Sequence, residues 1–193
     1  MFKKNPKLFF FIEKLNELNL DYVKKIGAIL ILRNIEKFKI KDLKEFSKSC
    51  SKRRISLFIP NNLKILFMLK TNNFYISAHN KKQFGHLKKI NPKISIIGSA
   101  HDVSEINEKK AQGCEYIVLS RIFQTTSKFK RGHLGTIRFN LLTRTHSKKF
   151  IALGGINQRN FKSLKNLNIH GLAMLKDKKK AGKYMPAFLK NNF

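Results

Sequence analysis

Apolar residues in this chain fall in short, dense runs separated by amphipathic and mostly basic segments. The runs predict strands at Leu8 to Ile12, Ile26 to Leu32, Ile55 to Ile59, Phe74 to Ser77, Ile94 to Ile97, Tyr116 to Leu119, Phe150 to Leu153 and Gly171 to Leu175. Polar residues do not alternate within them, as expected for parallel strands buried on both faces, and parallel strands need helical crossovers. Helices are predicted through Leu18, over Lys41 to Ser51, Leu63 to Leu69, Lys82 to Ile90, Asp102 to Gln112 and Ile137 to Thr143, from Asn157 to about Leu167, and over Lys178 to Leu189.

The stretch from Ile94 to Lys128 gives the clearest unit. A strand ends in Gly98-Ser99-Ala100-His101, a helix follows, and a second strand opens into the polar loop of Gln124 to Lys128. Asp102 is placed as an N-cap, Glu105 three residues later fits a capping box, and Gly113 fits the C-terminal cap. Polar residues collect after both strands, at the carboxyl edge where α/β folds bind ligands.

Eight such strands alternate with helices, without a long linker or a break in composition. They predict a single (β/α)8 TIM barrel over residues 1–193, compact and with short loops because such barrels usually need about 200 residues or more. A flavodoxin-like open sheet would use only about five of the strands.

Composition changes this picture little. No apolar stretch approaches the roughly 18 residues that span a bilayer. The basic and apolar start is interrupted by Glu13 and Lys14, with no small-residue cleavage site after it, so a cytoplasmic protein without a membrane partner is expected. Cys50 and Cys114 lack metal-type spacing and are expected to be reduced structural thiols. The net charge of +30, from 41 Lys and Arg against 11 Asp and Glu, would ordinarily point to a polyanion. Here the basic residues spread along the whole chain, beside an abundance of Asn, Ile and Phe of the kind that a base-composition bias can produce in any protein. Salt-dependent sticking to RNA is expected, but not a specific nucleic-acid partner.

The loop Thr125, Thr126, Ser127, Lys128 offers hydroxyls and a cation suited to a phosphate, or else it is a solvated basic loop. Gly154-Gly155, between a strand and a predicted helix, allows close backbone approach to a ligand, or simply makes a tight turn. Barrels commonly place a phosphate site near the last two strands, so the two features support each other. Arg33 ends a strand, where its charge meets an anion at the barrel mouth or caps a helix. His101 is either an acid or base near neutral pH or a hydrogen-bonding residue at a helix start.

At these residues the chain resembles the thiamine phosphate synthase family, which includes the related thiazole tautomerases known as TenI. IIGSAHDVSEI resembles the family's Gly, variable, Ser, small, His strand end, shortened by one position. GCEYIVLSRIFQTTSK is similar to its Gly-Ala-Asp-Tyr strand followed by Gly-Pro-Ile-Phe-Pro-Thr and a lysine, and FIALGGIN and HGLAML resemble its last two strands. The likeness is clearest from Ile96 to Leu175 and weak in the N-terminal half.

The resemblance implies a (β/α)8 fold, phosphorylated pyrimidine and thiazole substrates, and Mg2+. For the synthases it implies the joining of hydroxymethylpyrimidine pyrophosphate to thiazole phosphate with loss of pyrophosphate. It assigns Thr125, Thr126, Ser127 and Gly155, with neighbouring Gly154, to the thiazole phosphate, Lys128 to the pyrophosphate, and Ser99 to the pyrimidine. Arg33 matches the arginine of the family's Gln-Leu-Arg motif, whose glutamine is Ile31 here and whose later lysine falls at Ile35. The Asn-Asp after the third strand reads Pro60-Asn61, or Asn61-Asn62 with a slip of one. The Gly-Gln-Glu-Asp after the fourth reads Ser77-Ala78-His79-Asn80. Asn61 and Asn80 thus replace both magnesium carboxylates, and Lys176 stands for a serine after the eighth strand. A synthase that stabilises pyrophosphate with Lys128, Arg33 and Lys176 is the leading expectation. A tautomerase using His101 and a non-catalytic phosphate-binding barrel are the alternatives.

Overall fold

The computed structural model describes residues 6–125 and 132–175. Its eight parallel strands close into a barrel in sequence order, with β8 paired to β1. They are β1 (Lys7–Ile12), β2 (Ile29–Leu32), β3 (Leu57–Pro60), β4 (Asn73–Ile76), β5 (Ser95–Ala100), β6 (Tyr116–Ser120), β7 (Lys149–Leu153) and β8 (Gly171–Leu175). The helices are α1 (Leu20–Lys25), α2 (Ile40–Lys52), α3 (Leu63–Met68), α4 (Leu87–Ile90), α5 (Val103–Ala111) and α6 (Gly135–Arg144).

Unbroken apolar runs suit these strands because both faces are buried. One set, including Phe9, Phe11, Ile31, Phe58, Tyr75, Ile97, Val118 and Ile151, fills the barrel interior. The alternate set, such as Leu8, Phe10, Leu30, Leu32, Ile96 and Ile117, packs beneath the outer layer. Gly171 makes room for the interior, since a Cβ there would lie 2.5 Å from the Phe9 ring.

Three predicted helices change. The first begins at Leu20, capped by the Asn19 side chain, because Glu17 instead accepts the N–H groups of Glu13 and Lys14. It ends at Lys25 with Ile26 as its C-cap, so β2 starts only after the left-handed turn at Gly27. The helix expected from Lys82 is confined to Leu87–Ile90, because Asn80 Oδ1 takes the Lys82 N–H and Gln112 takes the Lys82 carbonyl. The helix expected from Asn157 is reduced to a 3-10 turn, Phe161–Leu164, because Asn157 and Asn160 bond to nearby backbone in competition with a helix. The helix expected over Lys178 to Leu189 lies outside the described residues.

Candidate functional site

The carboxyl ends of the strands form a polar mouth above the apolar interior. Ser99 lies within β5 and not after it, on the inward face with Ile97, and it is buried. Its Oγ is 2.7 Å from the Tyr75 hydroxyl, and Tyr75 in turn packs edge-on against Phe11 at 5.4 Å. Burial pushes the Tyr75 phenol above its ordinary range, opposed by the Ser99 bond and the nearby Arg33 charge. The sequence reading missed Tyr75; its signal was its inward position two residues before Ser77.

Arg33 and Glu13 follow β2 and β1, which are in register at Leu32 and Ile12, and Arg33 Nη1 is 3.1 Å from Glu13 Oε1. The cation at the mouth is thus already paired with a carboxylate. His101 Nδ1 lies 2.8 Å from Glu105 Oε2, and the same oxygen accepts the His101 main-chain N–H at 2.7 Å. Asp102 caps α5 through the Glu105 N–H at 2.8 Å, as expected. The returning carboxylate bond of the capping box goes one residue further back than expected, to His101. The His79 ring stacks near His101 at 6.4 Å.

After β6 and β7, a Cβ on Gly154 would meet Arg121 Cβ at 2.9 Å, and one on Gly155 would meet Gln124 O at 2.3 Å. The space left by both glycines is therefore filled by the segment that leads into Thr125. Gly154 O accepts the Phe123 N–H at 3.1 Å, and Gly155 O accepts Asn160 Nδ2 at 2.8 Å. Because a peptide is planar and trans, the Gly155 and Ile156 N–H groups point the opposite way from those carbonyls. Thr125 Oγ1 is buried and has no hydrogen-bond partner among the described residues. Thr126, Ser127, Lys128 and Lys176 lie outside the described residues.

A family model described as thiamine monophosphate synthase matches residues 15–177. The chain belongs to this family. A thiamine-phosphate synthase from Prochlorococcus marinus subsp. pastoris is 31% identical over 165 residues, covering 81% of this chain and 46% of that protein. One from Methanococcus vannielii is 23% identical over 118 residues, covering 61% and 57%. The chain spans about half the length of these curated relatives. Among solved structures, a thiamine phosphate pyrophosphorylase from Pyrococcus furiosus superposes with a TM-score of 0.69 at 16% identity over 91% of each chain. The N-(5'-phosphoribosyl)anthranilate isomerase from the same organism gives 0.67 at 13% identity over 96% of each. At such identities these two likenesses show the fold alone.

Membership of the thiamine monophosphate synthase family makes Mg2+ the ion to test at the ends of β3 and β4. Asn80 Nδ2 donates to Asn61 Oδ1 at 3.0 Å, so the two positions expected to carry metal carboxylates do face each other. Asn61 Oδ1 also accepts the Ser77 N–H at 3.0 Å, and Asn80 Oδ1 accepts the Lys82 N–H at 3.0 Å. Both amide oxygens are committed to main-chain donors and neither carries a formal charge. Magnesium is held mainly by carboxylates and phosphate oxygens, so this donor set does not fit it.

Proposed function

We propose that this member of the family is a thiamine phosphate synthase-like transferase that joins hydroxymethylpyrimidine pyrophosphate to thiazole phosphate and releases pyrophosphate. The observation that carries this reading is the adjacency of β5, β6 and β7 at one mouth, with Ser99, Thr125 and Gly154-Gly155 at their carboxyl ends. Thr125 Oγ1 has no hydrogen-bond partner among the described residues, and the Gly155 and Ile156 N–H groups face away from their neighbouring carbonyls. Such groups suit phosphate oxygens.

In this reaction the carbon–oxygen bond to pyrophosphate breaks and its electron pair leaves with the pyrophosphate. The thiazole supplies the pair for the new bond at that carbon. The protein must hold both partners in line and stabilise the negative charge that grows on the leaving group. The pyrimidine is assigned to the floor formed by Ser99 and Tyr75, and the thiazole phosphate to Thr125, Thr126, Ser127 and Gly155. Lys128, with Arg33 and Lys176, meets the departing charge. Arg33 contributes less than a free cation because Glu13 pairs with it.

A second reading, thiazole tautomerase, draws on the Glu105 carboxylate that orients His101 Nδ1 and leaves Nε2 for proton transfer. The deciding experiment supplies both synthase substrates to the purified chain and follows thiamine phosphate. Product formation is the expected result. If none forms, with or without magnesium, the transferase reading fails.

A further inference from the structure

The polar groups at the ends of β3 and β4 can be sorted by hydrogen-bond direction. A main-chain N–H can only donate, so the Ser77 and Lys82 N–H groups fix which end of each asparagine amide is oxygen. Asn61 Nδ2 then donates to Ser77 Oγ at 3.0 Å, and Asn80 Nδ2 to Asn61 Oδ1 at 3.0 Å. Among the described residues, the second hydrogen on each amide nitrogen and the Ser77 hydroxyl hydrogen have no acceptor. These hydrogens outnumber the lone pairs left on Asn80 Oδ1 and Ser77 Oγ, each of which accepts one bond, and no formal negative charge is present, which suits an anion better than a cation.

This arrangement is held from behind by α5 and the turn that follows it. Lys109 is fully buried, and its Nζ donates to the Asn80 carbonyl at 2.9 Å, with Glu108 Oε1 at 3.6 Å. Gln112, also fully buried, donates Nε2 to the same carbonyl at 2.7 Å and to the Lys82 carbonyl at 2.9 Å. Gln112 Oε1 is buried without a partner among the described residues, so there the bonds of its nitrogen hold the amide. The lysine stem lies against Gly98, where a Cβ would come within 3.0 Å of Lys109 Cγ and Cδ. Lysine is rarely buried in this way, because a charged or polar end costs free energy unless it finds partners. Here its partner is the main chain of the residue that bears the Asn80 amide.

We propose that Asn61, Ser77 and Asn80 form a subsite that takes a pyrophosphate group without a divalent cation, with Lys109 and Gln112 as its positioning residues. The choice of pyrophosphate rests on the transferase reading above. The donor geometry does not.

The test is calorimetry of the whole chain with inorganic pyrophosphate, once in EDTA and once in excess magnesium. The expected affinities agree within about threefold. Asn61→Asp with Asn80→Asp removes donors and adds carboxylates. That double variant is expected to bind pyrophosphate at least about tenfold more weakly in EDTA and to recover with magnesium. Lys109→Met and Gln112→Leu are each expected to weaken pyrophosphate binding in EDTA by about tenfold while thiazole phosphate binding stays unchanged. A merely structural role would lower both alike, and that result overturns the positioning assignment. Should Lys109→Met fail to fold, Gln112→Leu and the wild-type comparison still decide. Wild-type binding that requires magnesium overturns the subsite, even if thiamine phosphate is formed. Binding in EDTA without any thiamine phosphate formation upholds the subsite and removes the transferase reading.

Discussion

A side chain on Gly155 would place its first carbon 2.3 Å from the main-chain oxygen of Gln124. The close approach expected of this glycine is thus made to the β6 loop itself, which it holds beside the Thr125 hydroxyl. Gly155 also has φ +68°, where an L side chain costs roughly 1–2 kcal/mol. Gly155→Ala should therefore lower stability by more than that, and the melting temperature by at least about 2–4 °C on the scale for a chain this size. Thiazole phosphate affinity should fall with it. An alanine variant that melts and binds like the wild type would detach the glycine from the loop.

Tyr75 and Ser99 share one buried hydrogen bond above the apolar interior. Tyr75→Phe keeps the ring against Phe11 and deletes the hydroxyl, leaving Ser99 without that partner. The expected cost is about 1–3 kcal/mol in stability from the buried group left behind. The transferase reading adds a larger loss in turnover than in thiazole phosphate binding, because these hydroxyls are assigned to the pyrimidine. Urea denaturation and substrate titration separate the two effects. Unchanged pyrimidine use in the variant would take Tyr75 out of the site.

The barrel was legible in the sequence because every strand is buried on both faces, so hydrophobicity alone outlined it. Gly171–Leu175 was read to the residue. The ends were less clear. Ser99 read as a loop residue, whereas it is a polar residue on an inward strand face, which a hydrophobic run cannot signal. The Asn157 to Leu167 segment has helical spacing, but its asparagine side chains bond to local backbone instead. Lys109 and Gln112 were hidden for a different reason. In EKKAQ they look like a solvated helix face, and only the packing of α5 against the segment after β4 turns them inward. Likewise, the Glu13–Arg33 pair is twenty residues apart in the chain and depends on the β1–β2 register.

Both cysteines are free and buried, and burial pushes each thiol up to about 12 from 9.0. Folding therefore favours the protonated thiol. The stability this contributes is complete below pH 9 and is lost as pH rises toward 12, because the unfolded chain releases protons first. Tyr75, also raised, adds to the loss above pH 10. Each thiol can contribute a slope of at most about 1.4 kcal/mol per pH unit in that window. Urea midpoints measured between pH 8 and pH 10.5 should fall, and less steeply in Cys114→Ser than in the wild type. Thiol reagents should leave both cysteines unmodified in the folded protein at pH 8. Rapid labelling there would contradict the buried placement.

Lys128 and His101 separate the candidate activities. Lys128→Ala removes a cation from the proposed phosphate site, and a lost charge-assisted contact costs about 1.5–3 kcal/mol, or roughly tenfold to more than a hundredfold. In a synthase, turnover should fall by at least that much while the melting temperature barely changes. The His101→Ala variant gives up the ring bond to Glu105 and the stacking near His79, but the His101 main-chain N–H still reaches the same carboxylate. Its fold should therefore survive. In a synthase its turnover should fall less than that of Lys128→Ala. In a tautomerase the order reverses, since a positioned proton-transfer group contributes about 10² to 10⁴ in rate. If neither variant changes any turnover and Lys128→Ala still weakens thiazole phosphate binding, the barrel is a binding module. If Lys128→Ala alters neither binding nor turnover, the loop is solvated and the phosphate assignment of Thr125 to Lys128 falls with it.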